Sequence, residues 1–167
     1  QQIKAQYQHW ISYVPQDIHL FGGTIKQNIL GIHKFIDDEW MLECSKMSGT
    51  DEFVRMHPAG YDMPLGERGA GLSGGQRQSV GIARALINNS DIWMFDEPTN
   101  AMDQTSESIV LNNLMSKIEG KTLLLVTQKM SMVDLVDRII VMNFGSKVLD
   151  GPKDEIINKL GNSGEKQ

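Results

Sequence analysis

Two stretches decide the fold: residues 72–78 read LSGGQRQ, and residues 92–99 read IWMFDEPT. In the first, Ser73 is a good N-cap residue and Gln76 follows three residues later, which is the pattern of a capping box. Gly74 and Gly75 leave the first backbone N–H groups uncovered, and such a helix start binds anions. The stretch predicts a helix over 74–88 whose start faces an anionic group. A bare Ser-Gly-Gly string, taken alone, is more often an ordinary capped helix.

The second stretch predicts a buried strand over 92–95 that ends in two acids. Ligands of open α/β sheets bind beyond the carboxyl ends of the strands. Asp96 at that position suits Mg²⁺, held through water. Glu97 suits a base that orients or deprotonates an attacking water. The alternative is a pair of surface acids at a strand end.

Strands alternate with helices along the chain, which predicts an α/β fold. Consecutive apolar positions at 92–95 and 122–126 are typical of parallel strands that are covered on both faces. We expect a mostly parallel sheet core, a helical subdomain within the first 70 residues, and a frayed polar tail from Gly161. The predicted strands are 11–14, 92–95, 122–126 and 138–142, with a hairpin return at 147–149. A short amphipathic helical turn is predicted within 22–30, the predicted helices are 38–48, 50–56, 74–88, 104–118, 130–136 and 152–160, and 58–71 is predicted to be a loop.

Composition excludes several classes. A net charge of −5 argues against a nucleic-acid-binding face. The single cysteine, Cys44, rules out an intrachain disulfide and favours a reducing compartment. No apolar run reaches the roughly 18 residues of a membrane span, and the four histidines have no i, i+4 pair that would predict a metal site. Because the chain begins with Gln1 rather than Met, we expect it to be part of a longer protein.

Residues 69–74, GAGLSG, also fit the dinucleotide fingerprint G-x-G-x-x-G, and Asp96 lies where its ribose-binding acid would be expected. That fingerprint needs a strand directly before the glycines. Residues 62–68 are polar and interrupted by Pro64, so the sequence disfavours a dinucleotide site.

LSGGQRQ followed by a strand ending in DEPT resembles the ATPase domain of ABC transporters, which has a P-loop NTPase-like fold. The resemblance extends to residues 13–17 (YVPQD), similar to the Q-loop with Gln16, and to residues 100–103 (NAMD), similar to the D-loop with Asp103. Residues 21–29 and 66–69 resemble exporters. Residues 129–138 and 150–153 are similar to type I secretion exporters, which move proteins or peptides out of bacteria.

The resemblance implies ATP and Mg²⁺ as ligands, and a head-to-tail pair of such domains. Residues expected to touch the ATP held by the partner domain are Ser73, Gly75 and Gln76, and Gly74 and Asp103 are also expected to bind ATP. Residues expected to face ATP on their own subunit are Gln16, Asp96, Glu97 and Gln128, with Asp96 and Gln16 near Mg²⁺. It also implies a transmembrane domain touched by residues 66–69, an exported substrate, no nucleic acid, and a place at the cytoplasmic face of the bacterial inner membrane. By motif, the chain divides into 1–90 (Q-loop, helical subdomain, signature helix), 91–160 (Walker B, D-loop, switch region) and the tail 161–167.

Two departures from the family pattern matter. The 167 residues contain no G-x-x-x-x-G-K-[ST] phosphate loop, so we expect the chain alone to bind ATP negligibly, to be inactive and to associate through uncovered sheet edges. The family's switch histidine is replaced by Gln128, which can donate a hydrogen bond but cannot carry a charge. We therefore hypothesise slow or degenerate hydrolysis. The alternatives are a soluble, non-transport ABC ATPase and a regulatory pseudo-ATPase.

Overall fold

The computed structural model describes residues 10–33 and 36–164. Its strands are β1 (Ile11–Val14), β2 (Gly23–Thr24), β3 (Pro64–Leu65), β4 (Ile92–Asp96), β5 (Thr122–Val126), β6 (Arg138–Asn143) and β7 (Ser146–Pro152). Its α-helices are α1 (Ile25–Leu30), α2 (Asp38–Met47), α3 (Thr50–Val54), α4 (Gly74–Leu86), α5 (Gln104–Met115) and α6 (Lys153–Gly164). Short 3₁₀ turns span Gly60–Asp62, Glu67–Gly69 and Met130–Leu135. The predicted α/β class is confirmed.

A three-stranded parallel sheet in the order β1-β4-β5 forms the core, as the sequence predicts. Its buried face carries Val14, Trp93 and Phe95, and the Trp93 and Phe95 rings stack with centroids 5.7 Å apart. Its other face leaves Leu124 and Val126 more than half exposed. The expectation of strands covered on both faces is therefore wrong for the residues that the structure describes. These side chains instead leave apolar surface uncovered on this face.

A second correction concerns residues 58–71, predicted as loop. Within them β3 pairs antiparallel with β2, and the Ile25 N–H donates to the Met63 carbonyl at 3.1 Å. Leu65 is buried, which fixes this short pair in place. The ribbon is separated from Gly74 by a 3₁₀ turn, so no strand leads directly into the glycines, as the dinucleotide fingerprint would require.

Helix α4 is the central helix of the part of the chain that contains the parallel sheet. Its residues Val80, Ile82 and Ala83 are fully buried. Gly81 lies against the segment after β1: a methyl group on Gly81 would stand 2.5 Å from Cδ1 of Ile18. Only a glycine permits this close approach without displacing the neighbour.

The guanidinium of Arg84, also on α4, ties the helix to the segment 19–28. It donates to the Asn28 carbonyl at 2.6 Å, to the Asn28 Oδ1 at 2.9 Å and to the His19 carbonyl at 2.9 Å. Asn28 is fully buried, and its Nδ2 donates to the carbonyls of Phe21 and Thr24. Burial lowers the pKa of Arg84 from its usual value.

The chain divides into two compact units, one ending at Gln128 and the other beginning at Lys129. The motif boundary expected at 90/91 falls inside the first unit, because β1 and β4 pair across it. In the second unit β6 and β7 form the predicted hairpin, with an irregularity between Val141 and Met142. The stretch 130–135 is a 3₁₀ turn rather than the short helix expected there.

The predicted frayed tail from Gly161 needs a correction, because α6 continues to Gly164. Acidic residues occupy its first turn, where the helix dipole favours them. An i, i+4 pair joins Lys159 to Glu155 at 2.6 Å. Residues 165–167 lie outside the described residues.

Candidate functional site

The start of α4 has the capping box that its sequence predicts. The Ser73 hydroxyl accepts from the Gln76 N–H at 3.1 Å, and the Gln76 Oε1 accepts from the Ser73 N–H at 2.9 Å. Within residues 10–33 and 36–164, the N–H groups of Gly74 and Gly75 donate no hydrogen bond. Two donors of the helix start are thus available to an anion.

The same glycines are packed tightly against the loop that follows β4. A Cβ on Gly74 would stand 3.0 Å from the Ala101 Cβ. One on Gly75 would stand 3.1 Å from the Ala101 carbonyl oxygen and 3.3 Å from the Met102 Cα. Both glycines therefore have a packing role inside the chain.

Four of the predicted nucleotide-facing residues line one cavity of about 330 Å³ between α3, α4 and α5: Ser73, Gly75, Gln76 and Asp103. Asp103 is also the N-cap of α5. Its carboxylate accepts from the Ser106 N–H at 2.9 Å and from the Ser106 hydroxyl at 2.8 Å. These hydrogen bonds, the one from the backbone first, lower the pKa of Asp103. An Asp before a polar first helical turn is typical of an N-cap, but the capping role of Asp103 was not among the features predicted from the sequence.

The two acids lie at the carboxyl end of β4, as expected. Asp96 is half-buried and pairs in register with Val126 of β5. Glu97 leaves the strand with φ of 45°, a left-handed conformation that non-glycine residues adopt at a cost. Such a conformation persists where surrounding contacts enforce it, and it occurs often at functional sites.

The end of β5 supplies those contacts on one side. The Glu97 N–H donates to the Val126 carbonyl at 2.9 Å. The Glu97 carboxylate accepts from the Thr127 hydroxyl at 3.3 Å and from the Gln128 backbone N–H at 3.1 Å. The structure thus brings Glu97 and Gln128 together through the main chain of Gln128. Thr127 was not predicted as a site residue, because only the folded sheet places it beside Glu97.

Gln16 follows β1 and lines a second cavity, of about 250 Å³, with Gly74, Gln78 and Ala101. Because Val14 pairs in register with Phe95, Gln16 lies at the same edge of the sheet as Asp96. Gln78 was not predicted as a functional residue.

The oxygen donors at this edge fit Mg²⁺. Asp96 offers a half-buried carboxylate and Gln16 an exposed side-chain amide oxygen, and Mg²⁺ takes few protein oxygens while keeping waters and substrate phosphates. Across residues 10–33 and 36–164, no group of three or more His, Cys, Asp or Glu side chains could hold a metal by itself. The oxygens of Asp96 and Gln16 therefore suit a Mg²⁺ ion that binds together with a phosphate ligand.

Three comparisons bear on the chain. A family model described as "ABC transporter" matches residues 1–100. The leukotoxin translocation ATP-binding proteins LktB of Pasteurella haemolytica-like sp. (strain 5943B) and of Mannheimia glucosida are each 40% identical to it over 147 residues. Those matches cover 88% of this chain and 21% of each relative, so the chain spans about a fifth of their length.

A solved structure, of a bacterial Atm1-family ABC exporter with ATP bound, superposes with a TM-score of 0.87 at 29% identity. The match covers 93% of this chain and 28% of that one. No helix in the described part of the chain is both long enough and apolar enough to cross a membrane.

Proposed function

This chain belongs to the ABC transporter family, and from that premise we propose that it forms part of an exporter subunit that hydrolyses ATP to drive secretion of a protein or peptide. The similar proteins, a leukotoxin translocation ATP-binding protein and an ABC exporter, support this proposal over a soluble, non-transport ATPase. The transported cargo, the transmembrane domain and the position at the cytoplasmic face of the inner membrane are part of the proposal.

Within the proposal, Glu97 is the catalytic base for the attacking water. Asp96 and Gln16 would hold Mg²⁺, which when bound neutralises charge on the phosphates. Gln128 takes the position of the family's switch histidine, from which its amide can donate to a γ-phosphate.

The helix start serves a different nucleotide. Ser73, Gly75 and Gln76 present a hydroxyl, a backbone N–H group and an amide to the 330 Å³ cavity, which Asp103 also lines, and Gly74 belongs to the same helix start. We propose that they close over ATP bound to a second, head-to-tail domain. The free N–H groups of Gly74 and Gly75 are the anion-binding element.

The observation that carries the proposal is the clamped Glu97 carboxylate, held by Thr127 and Gln128 at the carboxyl end of a parallel sheet. The test is ATP turnover by the full-length protein with Glu97→Gln. We expect turnover to fall by about 10²- to 10⁴-fold, the usual contribution of a general base. Glu119→Gln, the same chemical change at an exposed site, is the matched control. Equal turnover of the two variants would refute the role of Glu97.

A second candidate is a degenerate site that hydrolyses ATP slowly or only regulates a partner. It rests on Gln128, whose exposed side chain cannot supply an imidazolium charge. Under this candidate, Gln128→His in the full-length protein raises turnover. Identical rates with glutamine and histidine would dismiss it.

A further inference from the structure

The side chain of Gln78 joins the two parts of the site. It lies on α4, five residues after Ser73, and is only 5% exposed. Its Nε2 donates to the Glu97 carbonyl at 3.3 Å, and its Oε1 accepts from the Ala101 N–H at 2.7 Å. One buried amide therefore spans both ends of the turn between Glu97 and the D-loop.

The turn that Gln78 spans is strained at its first residue. Glu97 has φ of 45°, and its carbonyl also accepts from the Asn100 N–H at 3.2 Å. Residues at the end of β5 hold the backbone N–H and the carboxylate of Glu97, whereas Gln78 holds its backbone carbonyl. A residue in this conformation needs both sets of contacts to hold one orientation.

We propose that Gln78 is a positioning residue for ATP hydrolysis: it sets the backbone of 97–101 so that the Glu97 carboxylate reaches the attacking water. It also ties that loop to the helix start at Ser73, about 7.5 Å away along α4 at a rise of about 1.5 Å per residue. Movement of the helix start against the partner's nucleotide is thereby passed to Glu97 on its own subunit. This inference rests on the proposed ATPase function.

The experiment compares Gln78→Met with the wild type in the full-length protein, by steady-state ATP hydrolysis. Met matches glutamine in length but makes neither hydrogen bond. We expect kcat to fall by about tenfold or more, since small displacements of catalytic groups cost up to about 10²-fold. KM for ATP should change less than about twofold, because the phosphate-binding groups are untouched.

Val80→Ala is the matched control. Val80 is fully buried on the same helix, two residues on, so its truncation lowers stability without removing either Gln78 hydrogen bond. A purely structural role for Gln78 predicts that both variants lose activity only as far as they lose melting temperature. A kcat for Gln78→Met within twofold of Val80→Ala at matched stability overturns the proposal.

A milder change keeps the test decisive if Gln78→Met does not fold. Gln78→Asn retains an amide but is one methylene shorter, so it cannot reach Glu97 and Ala101 together. It should show the same selective fall in kcat, and unchanged kcat would overturn the proposal. A wild-type protein without ATPase activity would instead sink the proposed function, so the two failures are distinguishable.

Discussion

Replacing Gly81 by alanine should destabilise the protein, although alanine is the better helix former. The helix-propensity gain is about 1 kcal/mol. Against it, the new methyl group would stand 2.5 Å from Cδ1 and 2.9 Å from both Cγ atoms of Ile18. Overpacking of this kind costs about 1–3 kcal/mol. The net expectation is a loss of up to about 2 kcal/mol in the free energy of unfolding, as the difference of those two ranges.

The clash can be isolated with a double-mutant cycle. In an Ile18→Ala background the obstructing atoms are gone, so Gly81→Ala should become stabilising by up to about 1 kcal/mol. The coupling between the two sites is then the overpacking term, about 1–3 kcal/mol. Urea unfolding followed by fluorescence of the buried Trp93 measures each corner of the cycle.

Gly161→Ala is the control for helix propensity alone. Gly161 lies in α6 with no neighbouring atom within 4 Å of an added Cβ, so alanine there should not lower stability. A coupling below about 0.5 kcal/mol between positions 18 and 81, the usual additivity error, would refute the reasoning from close approach.

Four further predictions follow from single features. Burial raises the pKa of Cys44 to about 12, so a thiol reagent should label it only after unfolding; rapid native-state labelling would contradict its burial. Asn28→Ala should lower the free energy of unfolding in urea by about 2–3 kcal/mol, because it leaves buried partners of the Asn28 side chain, including Arg84, without that hydrogen bond. Asn112→Ala, at an exposed site, should change the free energy of unfolding little. The pKa of Asp103 is lowered, so its contribution to stability is present above its unfolded pKa of about 3.9 and is lost as pH falls through its folded pKa. Melting curves of Asp103→Asn should therefore depend less on pH below about 4 than those of the wild type, and parallel profiles would argue against this cap. The 167 residues alone should show negligible binding in a fluorescent-ATP titration, since they lack the phosphate loop, and micromolar affinity would overturn that expectation.

Local patterns predicted the sheet and the helix starts well. Consecutive apolar residues marked β4 and β5, and the Ser73–Gln76 spacing predicted the observed capping box. These features depend on neighbours within a few residues, which a sequence displays directly.

The features that the sequence missed depend on distant segments. The β2–β3 pair joins residues about forty apart through two-residue strands. Because proline is usually excluded from strand interiors, Pro64 argues against a strand at this position in the sequence. Likewise, only packing of α4 against the loop after β4 shows that Gln78 contacts Glu97 and Ala101. A glutamine within a signature string gives no sign of which of its groups face inward.

The crowding of Gly74 and Gly75 against Ala101 and Met102 affects how mutagenesis at this motif should be interpreted. Bulkier replacements there are commonly intended to block a ligand, yet in this chain they would also push on the segment that carries Glu97. Loss of activity in such variants would combine a blocked ligand contact with a displacement of the segment that carries Glu97. A hydroxyl deletion at Ser73 leaves the glycines in place, but it also removes the cap that this hydroxyl gives to the Gln76 N–H, so ligand contact has to be compared at matched stability.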